Sequence, residues 1–179
     1  MPHEILKIMP QTKIIALNKS TVISLITFAT LLAAAIFAPL LHNQLITGSI
    51  VNAVLFLAAM MLGWPSAVAI GALPSLIAAI SGTLPAPLIP MTPFIITSNA
   101  ILIAAFYLFK NKNYWVGAVT GSVLKFLFLY SASAGLFNFI WPQKIAASIA
   151  VMMNWPQLIT ALLGATLAYL CLKMIKSLD

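Results

Sequence analysis

"TPFIITSNAILIAAFYLFKNKNYWVGAVTGSVLKFLFLY", residues 92–130, decides the fold. Two long apolar runs are parted by one polar break, KNKNY at 110–114, and the second run carries a lone lysine, Lys125, with no acid near it. A helix that crosses a bilayer needs about 20 predominantly apolar residues. The two runs therefore read as membrane-spanning helices.

The rest of the chain repeats the pattern. Its 179 residues are 63% hydrophobic and only 6% charged, with a mean hydropathy of +1.09. Soluble domains are about a quarter charged, and a chain this poor in charge cannot cover a water-facing surface. The expected class is all-α: one integral membrane domain over residues 1–179, a bundle of six transmembrane helices. The spans fall at roughly 20–41, 48–63, 65–82, 93–109, 114–139 and 154–174. They are separated by HNQ at 42–44, GWPS at 63–66, GTLPAPLIPMTP at 82–93, KNKNY at 110–114 and WPQK at 141–144. Pro65 fits the first position of the third helix. Residues 1–19 form an N-terminal segment in which 4–17 can lie as a short surface helix. The run Thr21–Leu41 is long enough to be retained as a span rather than cleaved as a signal peptide. Two readings stay open for 145–153: a short surface helix acting as a lid, or the start of a last helix kinked at Pro156.

The nine basic residues are all lysine, and the two acids, Glu4 and Asp179, stand at the chain ends. In a membrane protein such lysines set topology, so no nucleic-acid partner is expected. With the N-terminus inside, Lys7, Lys13, Lys19, Lys110, Lys112, Lys173 and Lys176 fall on the cytoplasmic side and only Lys144 outside. Both termini are therefore expected in the cytoplasm, in a multi-pass protein of the cell membrane. The single cysteine, Cys171, excludes an internal disulfide and a paired-cysteine metal site.

Lys125 lies about eleven residues into the fifth span, roughly 16 Å deep at 1.5 Å per residue, near the middle of a hydrocarbon core about 30 Å thick. A lysine there costs at least about 2.5–3.5 kcal/mol on insertion scales. It must face water, carbonyl groups or a bound anion, or lose its proton. The other polar groups lean to the outer half: Asn52 near the start of the second span, Thr97, Ser98 and Asn99 in the fourth, Ser131, Ser133 and Asn138 in the fifth. Asn154, Gln157 and Thr160, three apart, share a face of the sixth. Thr120 and Ser122 are exceptions on the inner side. Spans two, four and six begin at the outer side, where their free N–H groups favour negative charge. The pattern describes a polar pocket open outward, closed inward and suited to an anion, with Lys125, Asn99, Asn52, Ser133, Asn154 and Gln157 as candidate ligands. The plainer alternative is a lysine bonded to backbone carbonyls, with Asn52, Asn154 and Gln157 serving as caps or interhelical bonds. The proline-rich 82–93 loop and the 42–47 loop could close over such a pocket, and His42 could contact its contents. An aromatic belt accounts for Trp64, Trp115, Trp141 and Trp155. Ala29, Ala33, Ala34 and Ala38 in the first span, and Gly117 and Gly121 in the fifth, have the small-xxx-small spacing that lets helices approach closely.

Several chemistries lack their residues. There is no phosphate-binding GxxxxGK[ST] loop, no intramembrane carboxylate to carry a proton, and no HExxH, Cys/His cluster or serine–histidine pair. No enzyme activity, catalytic residue, cofactor or metal site is expected. Such a chain can bind a solute from outside and would depend on a partner to drive it across.

Six spans, an alanine-rich first helix, a proline-containing outer loop before the fourth span, and the wording of residues 92–130 resemble the substrate-binding S component of energy-coupling factor transporters. The resemblance implies capture of a small vitamin-like solute. It also implies docking of the first helix, through Ala34 and Ala38 or through Ala29 and Ala33, on a transmembrane T component coupled to two ATPase subunits. The metal-transporting members begin Met-His-x-His; this chain begins Met-Pro-His-Glu, which argues against a metal substrate. Two other readings are a structural scaffold similar to the rod-shape protein MreD, and a self-sufficient facilitator.

Overall fold

Six helices longer than four turns carry the fold, and among the described residues there is no strand. The computed structural model describes residues 18–82, 84, 86–140 and 149–177, without the side chains of 87 and 136–140. The expected surface helix at 4–17, the side chain of Asn138, Trp141, Lys144 and residues 145–148 of the 145–153 stretch lie outside the described residues.

The helices are α1 (Lys19–Phe37), α2 (Gln44–Met61), α3 (Trp64–Ile80), α4 (Thr92–Phe109), α5 (Tyr114–Ile140) and α6 (Trp155–Lys176). Five apolar segments are long enough to cross a membrane, and α3, at 17 residues, is a shorter apolar helix. At 1.5 Å per residue α3 is about 25 Å long, near the lower limit for a span. The chain is thus a multi-pass helical membrane bundle. Large apolar side chains such as Ile80, Leu108 and Leu170 stand exposed on its outside, as a lipid-facing surface requires.

The boundaries follow local chemistry. Pro39 cannot continue an α-helix, so α1 ends in a 3-10 turn, Ala38–Leu41. His42 closes it in the left-handed conformation, φ 50°, with its N–H donating to the Pro39 carbonyl. Asn43 then caps α2: its Oδ1 accepts from the N–H groups of Leu45 and Ile46 at 3.0 and 3.2 Å. This cap starts α2 four residues earlier than the apolar pattern indicates, so the expected 42–47 loop shrinks to His42 and Asn43. The 82–93 loop is also more regular than its prolines imply, because Ala86–Met91 forms a 3-10 helix leading directly into α4. Proline forbids the donor of a longer helix but accepts 3-10 dihedrals. At the other uncertain boundary, 149–152 is helical, a turn follows at 153–154, and Pro156 sits in the first turn of α6. The kinked continuous helix is therefore not what forms.

Small residues set the closest helix pairs. α4 packs against α5 and α2 against α6. A Cβ on Gly117 would lie 2.9 Å from the Phe106 carbonyl oxygen, and one on Gly121 2.8 Å from that of Leu102. Across the other pair, a Cβ on Gly164 would lie 2.6 Å from Asn52 Cβ and 2.7 Å from Ala53 N. Between lipid-solvated helices this close packing supplies the association that water would otherwise drive. The expected α1 stripe divides: Ala29 and Ala34 are exposed and Ala33 half-buried, but Ala38 is only 4% exposed. The 3-10 turn winds Ala38 inward, and its carbonyl accepts from Thr47 Oγ1 at 2.9 Å. Ala34 and Ala38 therefore do not share an outer face, whereas Ala29 and Ala33 do.

Candidate functional site

Lysines mark one end of the bundle: Lys19, Lys110, Lys112, Lys173 and Lys176 all gather at the end where α1 starts and α4 and α6 finish. At that end the interior is shut. Phe56 and Phe106 meet edge to face at 4.9 Å, and Phe106 and Tyr114 do the same at 5.3 Å. Tyr114 also meets Trp115 edge to face and Tyr169 at a tilt. Its hydroxyl donates to the Ala165 carbonyl at 2.7 Å, and Lys110 Nζ donates to the Ala59 carbonyl at 3.1 Å. Tyr114 and Lys110 thus satisfy their polar ends on helix carbonyls within this layer.

The other end is hollow. A cavity of about 380 Å³ lies among α2, α3, α4, α5 and α6. Its floor is the midplane lysine. Lys125 is 4% exposed, and its ammonium donates to Asn52 Oδ1 at 2.6 Å and to Asn99 Oδ1 at 2.8 Å. Each asparagine is locked from behind. Asn52 Nδ2 donates to the Gly48 carbonyl at 2.8 Å and lies 3.4 Å from Thr160 Oγ1. Asn99 Nδ2 donates to the Gly71 carbonyl at 2.9 Å. A carbonyl can only accept, so these bonds fix which end of each amide faces Lys125. The sequence alternative of backbone carbonyls around the lysine is thus replaced by two side-chain carbonyls.

An ammonium has three donors, and two are used. The third stays at the cavity wall with no partner among the described residues. No salt bridge to Lys125 exists there either, since both acids of the chain are terminal. In its protonated form Lys125 has two neutral dipoles around it and no counter-charge among the described residues. Such a charge is costly inside a bundle unless an anion or water completes its shell.

Of the six candidate ligands, Lys125, Asn52, Asn99 and Gln157 line the cavity. Ser133 and Asn154 do not. Ser133 is buried, but its hydroxyl turns back on α5 and donates to the Tyr130 carbonyl at 2.8 Å. Asn154 precedes α6, where its backbone carbonyl accepts from Gln157 N–H at 2.9 Å, so it lies a turn off the shared face. Thr97 and Ser98 likewise bond their own helix, to the carbonyls of Pro93 and Ile95. His42 reaches the mouth of the cavity.

Gln44, Thr47 and Ser75 also line it and were not legible in sequence. Ser75 sits in a run of apolar residues on α3 with no partner in its own helix to mark it. Gln44 was hidden by the late start expected for α2. A strap crosses the mouth: the Met152 carbonyl accepts from Gln44 Nε2 at 2.9 Å and from Gln157 Nε2 at 3.1 Å. Ile149 and Met153 of this strap are buried against Met91 and Leu129. Among the described residues no three His, Cys, Asp or Glu side chains gather to hold a metal ion.

No protein-family model matches the sequence, and neither a curated protein nor a solved structure matches it.

Proposed function

We propose that this chain captures a small anionic solute from outside the cell membrane, as the binding subunit of an ATP-driven uptake system of the energy-coupling factor type. The observation that carries the reading is the Lys125 ammonium, buried at the floor of a 380 Å³ cavity with two neutral carbonyl partners and one free donor. A volume of that size is at the small end of ligand pockets. The lysine bias orients the cavity mouth away from the cytoplasm. The aromatic layer below the cavity favours capture over free passage. The chain carries no nucleotide-binding loop, so the drive comes from partners: a transmembrane T component and two ATPase subunits. The exposed stretch of α1 around Ala29 and Ala33 is available to such a partner within the bilayer.

Native mass spectrometry of the purified protein tests capture directly. A retained small acid, absent from the Lys125→Ala variant while that variant keeps its helical circular dichroism, is the expected result. A wild-type protein that retains and binds no anion would sink the reading. Co-purification tests the assembly: ATPases and a T-type partner are expected, whereas recovery with cell-wall machinery would favour the MreD-like scaffold, and recovery alone with transport activity a self-sufficient facilitator.

A further inference from the structure

The polarity of the cavity runs from one end to the other, and that gradient narrows the solute. We infer, resting on the capture reading, that the solute is a monoanion roughly 10 Å long, held carboxylate-inward on Lys125, with hydrogen-bond donors at its far end facing the amide oxygens of Gln44 and Gln157.

Charge comes first. Among the described residues Lys125 is the one lysine in the cavity wall, His42 at the mouth is the other basic side chain, and the chain contains no arginine. A phosphate ester would bring a second negative charge against a single ammonium at the floor, and an unpaired buried charge is heavily penalised. One carboxylate matches one ammonium.

The free hydrogens of the floor call for acceptors. Both asparagine oxygens already accept from Lys125, and each Nδ2 donates to a helix carbonyl. The hydrogens without a partner among the described residues are the third of the ammonium and the second of Asn99 Nδ2, and both require an acceptor on the solute. At the mouth the sense reverses. The shared Met152 carbonyl turns the nitrogens of Gln44 and Gln157 toward the strap, and neither Oε1 has a partner among the described residues. Thr160 spends its hydroxyl hydrogen on the Gln157 carbonyl at 3.2 Å. The mouth therefore offers acceptors to a solute N–H or O–H. Between the two ends the wall is mostly apolar, with Val51, Ala78, Leu88 and Ile95, broken by the hydroxyls of Thr47 and Ser75. Gln44 and Asn52 are eight residues apart on one helix, which sets the distance between the two polar ends at about 12 Å.

The test uses full-length protein in lipid nanodiscs and a set of eight-carbon probes, counting only binding that Lys125→Ala removes. Suberamic acid has a carboxylate at one end and a carboxamide at the other. Octanoate lacks the distal donor, suberate and octyl phosphate carry excess negative charge, and methyl suberamate carries none. Suberamic acid is expected to bind best, roughly threefold to tenfold better than octanoate, the worth of one neutral hydrogen bond. Gln157→Leu is expected to erase that preference while octanoate affinity stays within about twofold, an effect that general loosening of the bundle would not produce. Suberate or octyl phosphate binding as tightly as suberamic acid would overturn the monoanion assignment and leave the capture reading standing. Equal binding of octanoate and suberamic acid by the wild-type protein would overturn the distal donor. No Lys125-dependent binding of any acid overturns both.

Discussion

Lys125 shows how far a single residue can be read. Its depth follows from counting residues, and the absence of any nearby acid follows from composition. Its partners do not follow from either, because Asn52 and Asn99 lie 73 and 26 residues away in sequence. Asn52 reads as a residue near the start of its helix only while the cap at Asn43 goes unnoticed. With α2 beginning at Gln44 it is two turns deep and level with the lysine. Ser133 misleads in the opposite direction, since a hydroxyl can satisfy itself on its own helix and leave nothing for a cavity. The chemistry at this scale is open to a simple test. Asn99→Asp places a carboxylate against the ammonium and supplies the counter-charge from within. Affinity for a carboxylate probe is expected to fall at least about tenfold, measured by calorimetry in nanodiscs, whereas unchanged affinity would mean that the ammonium is not the anion's partner. Lys125→Ala, expected to abolish binding in a folded protein, is the companion measurement.

Helices were the most legible level. Five of the six expected spans begin within two residues of the observed helices, because long apolar runs between proline, glycine and lysine breaks leave little choice. The exception, α2, turns on one capping asparagine. Packing was legible only where small residues repeat at a spacing of four, as at Gly117 and Gly121. Gly164 has the same spacing with Ala168 but was not singled out in sequence, and among the glycines it makes the tightest approach, against Asn52 and Ala53. Gly164→Ala is expected to destabilise the α2–α6 pair by about 1–3 kcal/mol through overpacking, read as a lowered melting temperature in detergent. Gly135→Ala, where an added Cβ meets nothing within 4 Å, is the control and is expected to gain up to about 1 kcal/mol from helix propensity. Equal melting temperatures for the two variants would contradict the close contact.

For the whole molecule, orientation comes from the lysine count and the cavity from packing, and the two are independent. Cysteine labelling connects them. In a Cys171→Ser background, His42→Cys at the hollow end is expected to react with an impermeant maleimide on intact cells, and Lys112→Cys only after permeabilisation. The reverse pattern would turn the cavity to face the cytosol and undo capture from outside. A solute seated on Lys125 has the interlocked rings of Phe56, Phe106 and Tyr114 beneath it. Packed rings at one end have an electrical consequence: if the layer holds, the protein is expected to add no measurable ion conductance to a planar bilayer, with or without a bound solute. Such a barrier would let a cell keep many copies in its membrane without draining its ion gradients.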